Sequence, residues 1–389
     1  MYIKSDKIYT ESGVVKGYLN IEDGKIKNIL SSDEKVDDFH DFSTYRIIPG
    51  IFDTHIHGVM GYNLMNKTPD VISEIKGFLK GISAHGVTSV LPTANPEIFK
   101  DLVAVSRMSI DGAKIIGIHS EGPYLNRVGE KGIDEGHPDI SLDYIQEMIS
   151  NCEGMLKLVG MAPELPNSKQ ATEYLLNHGV RVAFTHSNAN FEEAMNAFKN
   201  GVSISTHTAN VMTGIHHRDV GGLGASLLAP NVECEIICDG LHVSFEMLEI
   251  MFRIKSYDRF IMISDSTHLA GAPIGQYESM GLTINITDDG FAKTDTGRLV
   301  GSTKSIMYGI KNLVEKMNIP LEIVLNMACL NPARTYGVDR KKGSLVVGKD
   351  ADFVIIDDEY SVVYTFSEGE VIYDASTDKD LFNTKMLVK

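Results

Sequence analysis

The chain has 389 residues, of which 43% are hydrophobic and 23% are charged. These fractions are ordinary for a globular protein, and they exclude a disordered chain, a collagen-like repeat and a coiled coil. The formal net charge is −16, because 36 Lys and Arg residues face 52 Asp and Glu residues. We therefore expect no binding to nucleic acid or to an anionic membrane surface, and an anionic ligand needs cations placed close to it.

The two ends of the chain have the pattern of β structure. Residues 1–45 alternate short apolar and polar runs, and Ile21-Glu-Asp-Gly-Lys-Ile26 carries the Asp-Gly signal of a tight hairpin. In the last fifty residues, Ala351–Asp357 and Val362–Phe366 are strand-like. Each end is too small to bury a core of its own. We predict that residues 1–48 and 339–389 pack together as one small β-sandwich module.

Residues 49–338 alternate short apolar runs, rich in branched side chains, with longer amphipathic stretches, which indicates α/β structure. No Gly-x-Gly-x-x-Gly turn follows the first strand, so a (β/α)8 TIM-like barrel is favoured over an open doubly wound sheet. Helical periodicity marks Val71–Ala84, Lys169–Asn177, Phe191–Lys199 and Phe245–Ile254, and stretches of this kind stop at Gly86, Gly179 and Gly201. The eight predicted strands are Ile47–His57, Val87–Thr93, Ile115–Glu121, Lys157–Glu164, Arg181–Ser187, Val202–Thr208, Glu233–Asp239 and Phe260–Ser266.

The cysteines and the N-terminus predict the compartment. The four cysteines are scattered in mostly apolar surroundings, which is typical of buried free thiols in a reducing compartment. The first residues lack the apolar core of a signal peptide, and no uncharged apolar run approaches the ~18 residues of a membrane span. We expect a cytoplasmic protein.

Acidic and imidazole side chains stand at the carboxyl ends of the predicted strands, where barrel enzymes gather their catalytic groups. His55 and His57 lie on one side of an extended strand, because side chains alternate with period two. Several imidazoles and carboxylates at equivalent positions predict a metal site, whereas the alternative is a set of buried, hydrogen-bonded histidines. The residues at these ends are His55, His57, Glu121, Glu164, His186, His207, Asp239, His242 and Asp265.

Six sequence runs then carry a resemblance to a known family. They closely resemble the N-acetylglucosamine-6-phosphate deacetylases of the amidohydrolase superfamily, and the resemblance covers nearly the whole chain, including Asn331-Pro-Ala-Arg334 and Gly348-Lys-Asp-Ala-Asp352. The runs are Pro49-Gly-Ile-Phe-Asp-Thr-His-Ile-His-Gly58, His119-Ser-Glu-Gly-Pro-Tyr124, Thr206-His-Thr-Ala-Asn210, His216-His-Arg-Asp219, Asp239-Gly-Leu-His242 and Gly301-Ser-Thr303.

The resemblance implies a divalent metal, with one or two ions per subunit. Zn²⁺ is favoured, and Fe²⁺ or Mn²⁺ are the alternatives. By similarity, Glu121, His186 and His207 hold the principal ion. The resemblance implies that a second ion, where one binds, is held with the help of His55 and His57, bridged through Glu121 and completed by Asp265. Some relatives lack the histidine pair and work with one metal.

The resemblance also assigns catalytic and substrate-binding roles. Asp265 is the general base and acid, and His242 polarises the acetyl carbonyl. The substrate phosphate is expected at Arg218, whose guanidinium fits phosphate, with help from Asn210 and the amide of Val211. In relatives a neighbouring subunit can supply the phosphate-binding arginine, so a homodimer is implied.

The sequence departs from the family pattern in three places, of which the first concerns recognition of the sugar, while His268 either touches the substrate or lines a loop. The run Lys131-Gly-Ile-Asp134-Glu-Gly-His137 has Asp134 where relatives carry a sugar-binding histidine. Either His137 reaches the same place through a small shift, or the sugar hydroxyls are recognised differently. His268 and the pair Lys304-Ser305 replace smaller or more apolar residues.

The predicted reaction is metal-dependent deacetylation of N-acetylglucosamine 6-phosphate to glucosamine 6-phosphate and acetate. Because Asp134 replaces a sugar-binding histidine, another amino-sugar phosphate, such as N-acetylgalactosamine 6-phosphate, is an alternative substrate. A deaminase or cyclic amidase of the same superfamily, and a non-catalytic barrel that binds a sugar phosphate, are the more distant alternatives.

Overall fold

One sheet of eight strands joins the two ends of the chain. This computed structural model describes residues 1–127, 138–279, 282–297 and 301–383. The C-terminal strand Phe353–Ile356 pairs antiparallel with Arg46–Pro49, so Phe353 lies opposite Pro49. The strands in spatial order are Glu370–Asp374, Val362–Ser367, Phe353–Ile356, Arg46–Pro49, Tyr2–Thr10, Gly13–Glu22 and Lys25–Ser31, with His40–Asp41 beside Tyr2–Thr10.

This terminal sheet has an apolar core of its own. Ile8, Leu19, Ile47 and Phe353 are each fully buried in it, and the rings of Phe353 and Phe366 stack with their centroids 4.3 Å apart. Because the core takes residues from both ends of the chain, neither end buries this surface alone. The two ends of the chain therefore share one sheet and one apolar core.

The middle of the chain forms a curled parallel sheet. Its strands lie in two ladders, of three and six strands, which a parallel bridge between Thr93 and His119 connects. Each of the eight predicted strand regions contains a strand, and the third is interrupted. In chain order the first to eighth strands are Ile51–Ile56, Val87–Pro92, Lys114–Ile115 with Ile118–Glu121, Leu156–Met161, Arg181–Phe184, Ile204–Ser205, Glu233–Ile236 and Phe260–Met262.

Most of these strands stop earlier than the sequence pattern predicts. The fifth strand ends at Phe184 and the sixth at Ser205, while the predicted strands ran to Ser187 and Thr208. The apolar pattern continues past the point where the backbone leaves the ladder. Positive φ angles at His186 and His207 mark that departure.

Helices alternate with the strands, and the four predicted helical stretches are all helical. Positive φ at Gly86, Gly179 and Gly201 fits the predicted helix ends. The α-helices are Val71–Ser83, Phe99–Ser106, Leu142–Asn151, Ser168–Asn177, Phe191–Lys199, Gly221–Leu228, Phe245–Ile254, Ile306–Glu315, Leu321–Leu325 and Asn331–Thr335. Short turns of other helix types are Pro96–Ile98, Tyr257–Arg259 and the π-helical Asn326–Leu330. Among the described residues, no helix has the length and apolarity needed to cross a membrane.

A small antiparallel sheet follows the eighth strand and was not predicted. Its strands are Gly275–Ser279, Leu282–Ile286 and Ala292–Thr294. Tyr277 and Ile284 pack against Leu269, so the sheet covers the loop that follows Asp265. Two further short strands, Gly58–Val59 and Tyr62–Asn63, pair after the first strand.

Candidate metal centre and active site

Four histidine rings converge on one carboxylate, that of Glu121 at the end of the third strand. Its Oε1 lies 3.2 Å from Nε2 of His186 and 3.1 Å from Nε2 of His207. Its Oε2 lies 3.1 Å from Nε2 of His57 and 3.5 Å from Nε2 of His55. The two oxygens therefore face two different histidine pairs. Glu121 belongs to two groups of potential ligand atoms, His55–His57–Glu121 and Glu121–His186–His207, and each group is compact enough to hold a metal ion.

Asp265 adjoins the group that contains the first-strand histidines. Its Oδ1 lies 3.3 Å from Nε2 of His57 and 3.5 Å from Nε2 of His55. The backbone N–H of Asp265 donates to the carbonyl of His55 at 2.9 Å. The eighth strand thus delivers this carboxylate directly beside the end of the first strand.

The carboxylates of this cluster are held in their ionised form. Burial raises the pKa of Glu121, but the charge of His55 and hydrogen bonds from His186 and His207 outweigh burial and keep that pKa well below its usual range. Burial likewise opposes ionisation of Asp265, whereas the charge of His55 and a hydrogen bond from His57 lower its pKa to about 2. Two anions in a buried site match the charge of a divalent cation.

The hydrogen bonds and spacing of the ring nitrogens test whether this donor set fits a metal ion. Nδ1 of His186 donates to the carbonyl of Arg127 at 2.7 Å, so a cation can replace the hydrogen on Nε2 and bind the lone pair there. Nε2 of His55 and Nε2 of His57 lie only 3.3 Å apart. Two ring nitrogens that close repel each other if both lone pairs face inward, unless a cation accepts them. Imidazole nitrogens with carboxylate oxygens fit Zn²⁺, Fe²⁺ or Mn²⁺.

Strained backbone aims three of these side chains. His186, His207 and Asp265 have φ angles of 47°, 28° and 47°. Non-glycine residues rarely adopt this left-handed region, and each such residue costs about 1–3 kcal/mol. All three stand just past a strand end, so the chain turns out of the ladder there and directs the side chain to the shared centre.

His242 is fixed by Asp239, which follows the seventh strand. Oδ2 of Asp239 accepts from Nδ1 of His242 at 2.6 Å, and Oδ1 accepts from the backbone N–H groups of Leu241 and His242. Burial lowers the pKa of His242, but the hydrogen bond and charge of Asp239 outweigh burial and raise it, and the charge of Asp265 acts in the same direction. Asp239 therefore fixes the ring of His242 and favours its protonated form.

Of the predicted substrate-binding residues, Arg218 stands apart from the cluster. It is exposed, its Nε donates to Nε2 of His217 at 3.0 Å, and it lines an open cleft of about 460 Å³ with Asn190 and Glu192. In the part of the chain that the structure describes, no hydrogen bond or ion pair joins Arg218 to the Glu121 cluster.

The other predicted substrate-binding residues lie on the loop after His207 or outside the described residues. The N–H of Asn210 donates to the carbonyl of His207 at 2.9 Å. The loop that carries Asn210 therefore begins directly at one of the histidines that face Glu121. Val211 has a positive φ of 51°, and its carbonyl accepts from the N–H of Ser187. His137 and Asp134 lie outside the described residues.

Glu164, which also ends a predicted strand, organises loops. Its carboxylate accepts from Nδ2 of Asn126 at 2.9 Å, from Oγ of Ser187 at 2.6 Å and from the N–H of Asn188 at 2.6 Å. Ser187 directly follows His186. This carboxylate is thus engaged by hydrogen-bond donors beside the cluster.

The sequence analysis missed two buried acids behind the cluster. Glu235 lies in the seventh strand, with an oxygen 3.3 Å from Nδ1 of His55. Asp53 accepts from Oγ of Ser264 at 2.6 Å and ties the first strand to the residue before Asp265. Their signal is an acidic residue inside an apolar strand run, as in Glu233-Cys-Glu-Ile236.

Comparisons with known proteins agree with this geometry. The model of the amidohydrolase family matches residues 46–373. The chain is 32% identical over 366 residues to the N-acetylglucosamine-6-phosphate deacetylase of Vibrio furnissii, covering 92% of this chain and 90% of that protein. It is 30% identical over 382 residues to the N-acetylgalactosamine-6-phosphate deacetylase of Escherichia coli O157:H7, covering 95% and 98%. The crystal structure of N-acetylglucosamine-6-phosphate deacetylase from Pasteurella multocida superposes with a TM-score of 0.84 at 28% identity, covering 95% and 98%.

Proposed function

The chain belongs to the amidohydrolase family, and we propose that it hydrolyses the N-acetyl group of N-acetylglucosamine 6-phosphate to give glucosamine 6-phosphate and acetate. The observation that carries this function is the sharing of Glu121 between two histidine pairs, with Asp265 beside one of them. Near-complete coverage of deacetylases at about 30% identity supports an N-acetyl amide as the bond that is cleaved.

The metal-binding residues proposed for this chain are those of the cluster. His186, His207 and Glu121 would hold one ion, and His55, His57 and Glu121, with Asp265, a second. When bound, a divalent ion in this donor set would supply Lewis-acid chemistry, lowering the pKa of a water molecule and polarising the acetyl carbonyl. We favour Zn²⁺, with Fe²⁺ and Mn²⁺ as the alternatives.

The chain's own residues supply proton transfer and charge stabilisation. Asp265, ionised at neutral pH, takes the proton of the attacking water and delivers a proton to the departing sugar amine. His242, held by Asp239, donates to the carbonyl oxygen as negative charge develops there. An anchored ring loses little freedom when it makes this bond, because its orientation is set before the substrate arrives.

Recognition of the phosphate is proposed for Arg218, with Asn210 and the amide of Val211. Arg218 is exposed beside an open cleft, which supports a role across the interface of a homodimer, toward the substrate of the partner subunit. His137 remains a proposed sugar contact. The four free, buried cysteines support a cytoplasmic location.

The architecture proposed around this site is a closed barrel with a folded terminal sheet. The N–H of His57 donates to the carbonyl of Ser266 at 2.9 Å, which brings the end of the first strand against the end of the eighth and supports closure. The N–H of Ile26 donates to the carbonyl of Lys349 at 2.9 Å, which supports a sandwich in the terminal module. We keep residues 1–48, 49–338 and 339–389 as the proposed domain limits.

The closest competing substrate is N-acetylgalactosamine 6-phosphate. The relative from Escherichia coli O157:H7 is named for that substrate. It is 30% identical to this chain, close to the 32% identity of the N-acetylglucosamine-6-phosphate deacetylase from Vibrio furnissii. Asp134, at the position of a sugar-binding histidine in relatives, favours the same alternative. The two sugars differ only in the orientation of one hydroxyl group.

The decisive experiment measures acetate release from phosphorylated and plain N-acetyl hexosamines, after metal removal and readdition of Zn²⁺, Fe²⁺ or Mn²⁺. We expect N-acetylglucosamine 6-phosphate to give the highest kcat/KM, and chelation to abolish turnover until a metal is restored. A higher kcat/KM with N-acetylgalactosamine 6-phosphate would replace the proposed substrate. Full activity after complete metal removal would refute the proposed chemistry.

A further inference from the structure

Glu235 is a buried carboxylate that the reaction described above does not use. It lies in the seventh strand between Cys234 and Ile236, and none of its surface is exposed. A carboxylate buried among apolar side chains is unfavourable unless hydrogen-bond donors satisfy it. The donors that satisfy Glu235 therefore show what the residue does.

Both donors come from the first strand. Oε1 of Glu235 accepts from Oγ1 of Thr54 at 3.0 Å, and Oε2 lies 3.3 Å from Nδ1 of His55. Thr54 and His55 are themselves fully buried. Because each carboxylate oxygen has its own donor, the carboxylate plane is fixed against the imidazole of His55.

This contact determines which nitrogen of His55 faces the cluster with a lone pair. In the neutral ring that binds a metal ion, an Nδ1 that donates its hydrogen to Glu235 leaves Nε2 without hydrogen, so Nε2 presents its lone pair toward Glu121 and Asp265, each 3.5 Å away. Carboxylates that accept from the second nitrogen of a metal-binding histidine fix its tautomer and ring orientation in general.

The contact is specific to one of the two metal groups. Nδ1 of His186, in the other group, donates to a backbone carbonyl. His57, directly after the first strand, has its Nδ1 against the sulfur of Met65, which is a weak acceptor. Glu235 is therefore placed to orient His55, whereas His186 in the other group is oriented by a backbone carbonyl.

We infer that Glu235 is a positioning residue that builds the His55–His57–Glu121 metal group, so that it decides whether a second ion is retained. The inference rests on the proposed two-ion site. It is separate from the identity of the sugar substrate and from the roles of Asp265 and His242.

The experiment compares Glu235→Gln with wild-type protein and with Glu233→Gln. Glutamine keeps the size of the side chain, but it replaces one acceptor oxygen with an amide nitrogen, so it cannot accept from both first-strand donors in the same way. Glu233 lies on the same strand and pairs with Arg181 at 3.6 Å, so its substitution is a matched control away from His55. Bound Zn²⁺ per subunit is measured by elemental analysis, and the affinity for each ion by competition with a chromophoric chelator.

We expect two ions in wild-type protein and in Glu233→Gln. In Glu235→Gln we expect the second ion to bind about 10–100-fold more weakly, with the first ion unchanged. Two ions bound with wild-type affinities in Glu235→Gln would overturn the inference and leave the two-ion site standing. A single ion in wild-type protein would overturn the two-ion site and this inference together, while acetate release from the same sample tests the reaction separately.

Thr54→Val keeps the test decisive if Glu235→Gln does not fold. Valine preserves the shape of Thr54 but removes the hydroxyl donor to Oε1, while the carboxylate stays in place. We expect the same selective weakening of the second ion, by a smaller factor. Equal weakening of both ions would show a general structural role and would overturn the inference.

Discussion

The Glu121 cluster and the exposed segment His216–Asp219 hold their functional side chains in opposite ways. In each of the two ligand groups of the cluster, ring nitrogens and carboxylate oxygens lie within 4.8 Å of one another on strand ends that a buried core supports. His216 and Arg218 are exposed, and Arg218 contacts only neighbouring residues of its own segment through the hydrogen bonds described. The difference fits the roles proposed for the two regions, because bond cleavage depends on preset geometry, whereas an exposed arginine suits the proposed recognition of phosphate at a surface.

The largest effect that tests this comparison is expected from Asp265→Asn, inside the cluster. Asparagine keeps the size of the side chain but cannot accept and return a proton, so kcat should fall by about 10²–10⁴-fold while KM changes little. Acetate release gives kcat, and elemental analysis gives metal content. Asp258→Asn, at an exposed carboxylate, is the control. Turnover at the wild-type rate in Asp265→Asn would remove Asp265 from the chemistry.

His242→Gln, at the edge of the cluster, should have the next largest effect. Loss of one donor to a developing oxyanion typically lowers kcat by about 10²–10³-fold. The metal content should stay at the wild-type value, because His242 pairs with Asp239 and not with Glu121. His178→Gln, at an exposed histidine that donates to Tyr174, serves as the comparison variant. A changed KM with an unchanged kcat would instead make His242 a binding residue.

Arg218→Ala, in the exposed segment, should have the smallest effect on turnover. A charge-assisted hydrogen bond contributes about 1.5–3 kcal/mol, so KM for the phosphorylated sugar should rise by about 10–100-fold with kcat nearly unchanged. KM for plain N-acetylglucosamine should stay the same. Arg253→Ala, at an exposed helical arginine, controls for loss of surface charge. Equal losses on both sugars would exclude a phosphate-specific role.

The positions of the eight strands and the His55–His57 pair could be predicted because they depend on local periodicity. Side chains two residues apart share a face of a strand whatever surrounds it. The early strand ends at Phe184 and Ser205 could not be predicted, because the left-handed backbone at His186 and His207 persists only where the surrounding structure enforces it. The insertion of three antiparallel strands after Asp265 was missed because its short apolar runs pack on Leu269, a contact made within the tertiary structure.

Within the site, the resemblance to a family identified candidate metal-binding residues but not the side chains that position them. Glu164 stands at the end of a predicted strand and Glu235 inside one, but the sequence does not show which side chains each carboxylate contacts. In the structure Glu164 accepts from Asn126, Ser187 and Asn188, whereas Glu235 faces His55. The neighbours of a carboxylate come from other strands, so only the sheet order reveals them.

The sequence by itself determined which residues have the chemistry to hold a metal ion and to transfer a proton, since that chemistry belongs to imidazole and carboxylate groups wherever they lie. It also located the eight strands of the central sheet and four of the helices, because periodicity is local. Tertiary structure decided that the two oxygens of Glu121 face different histidine pairs, that Glu235 stands behind His55 and that Arg218 lies apart. These are relations between segments distant in the chain, and only their packing in the fold sets the distances.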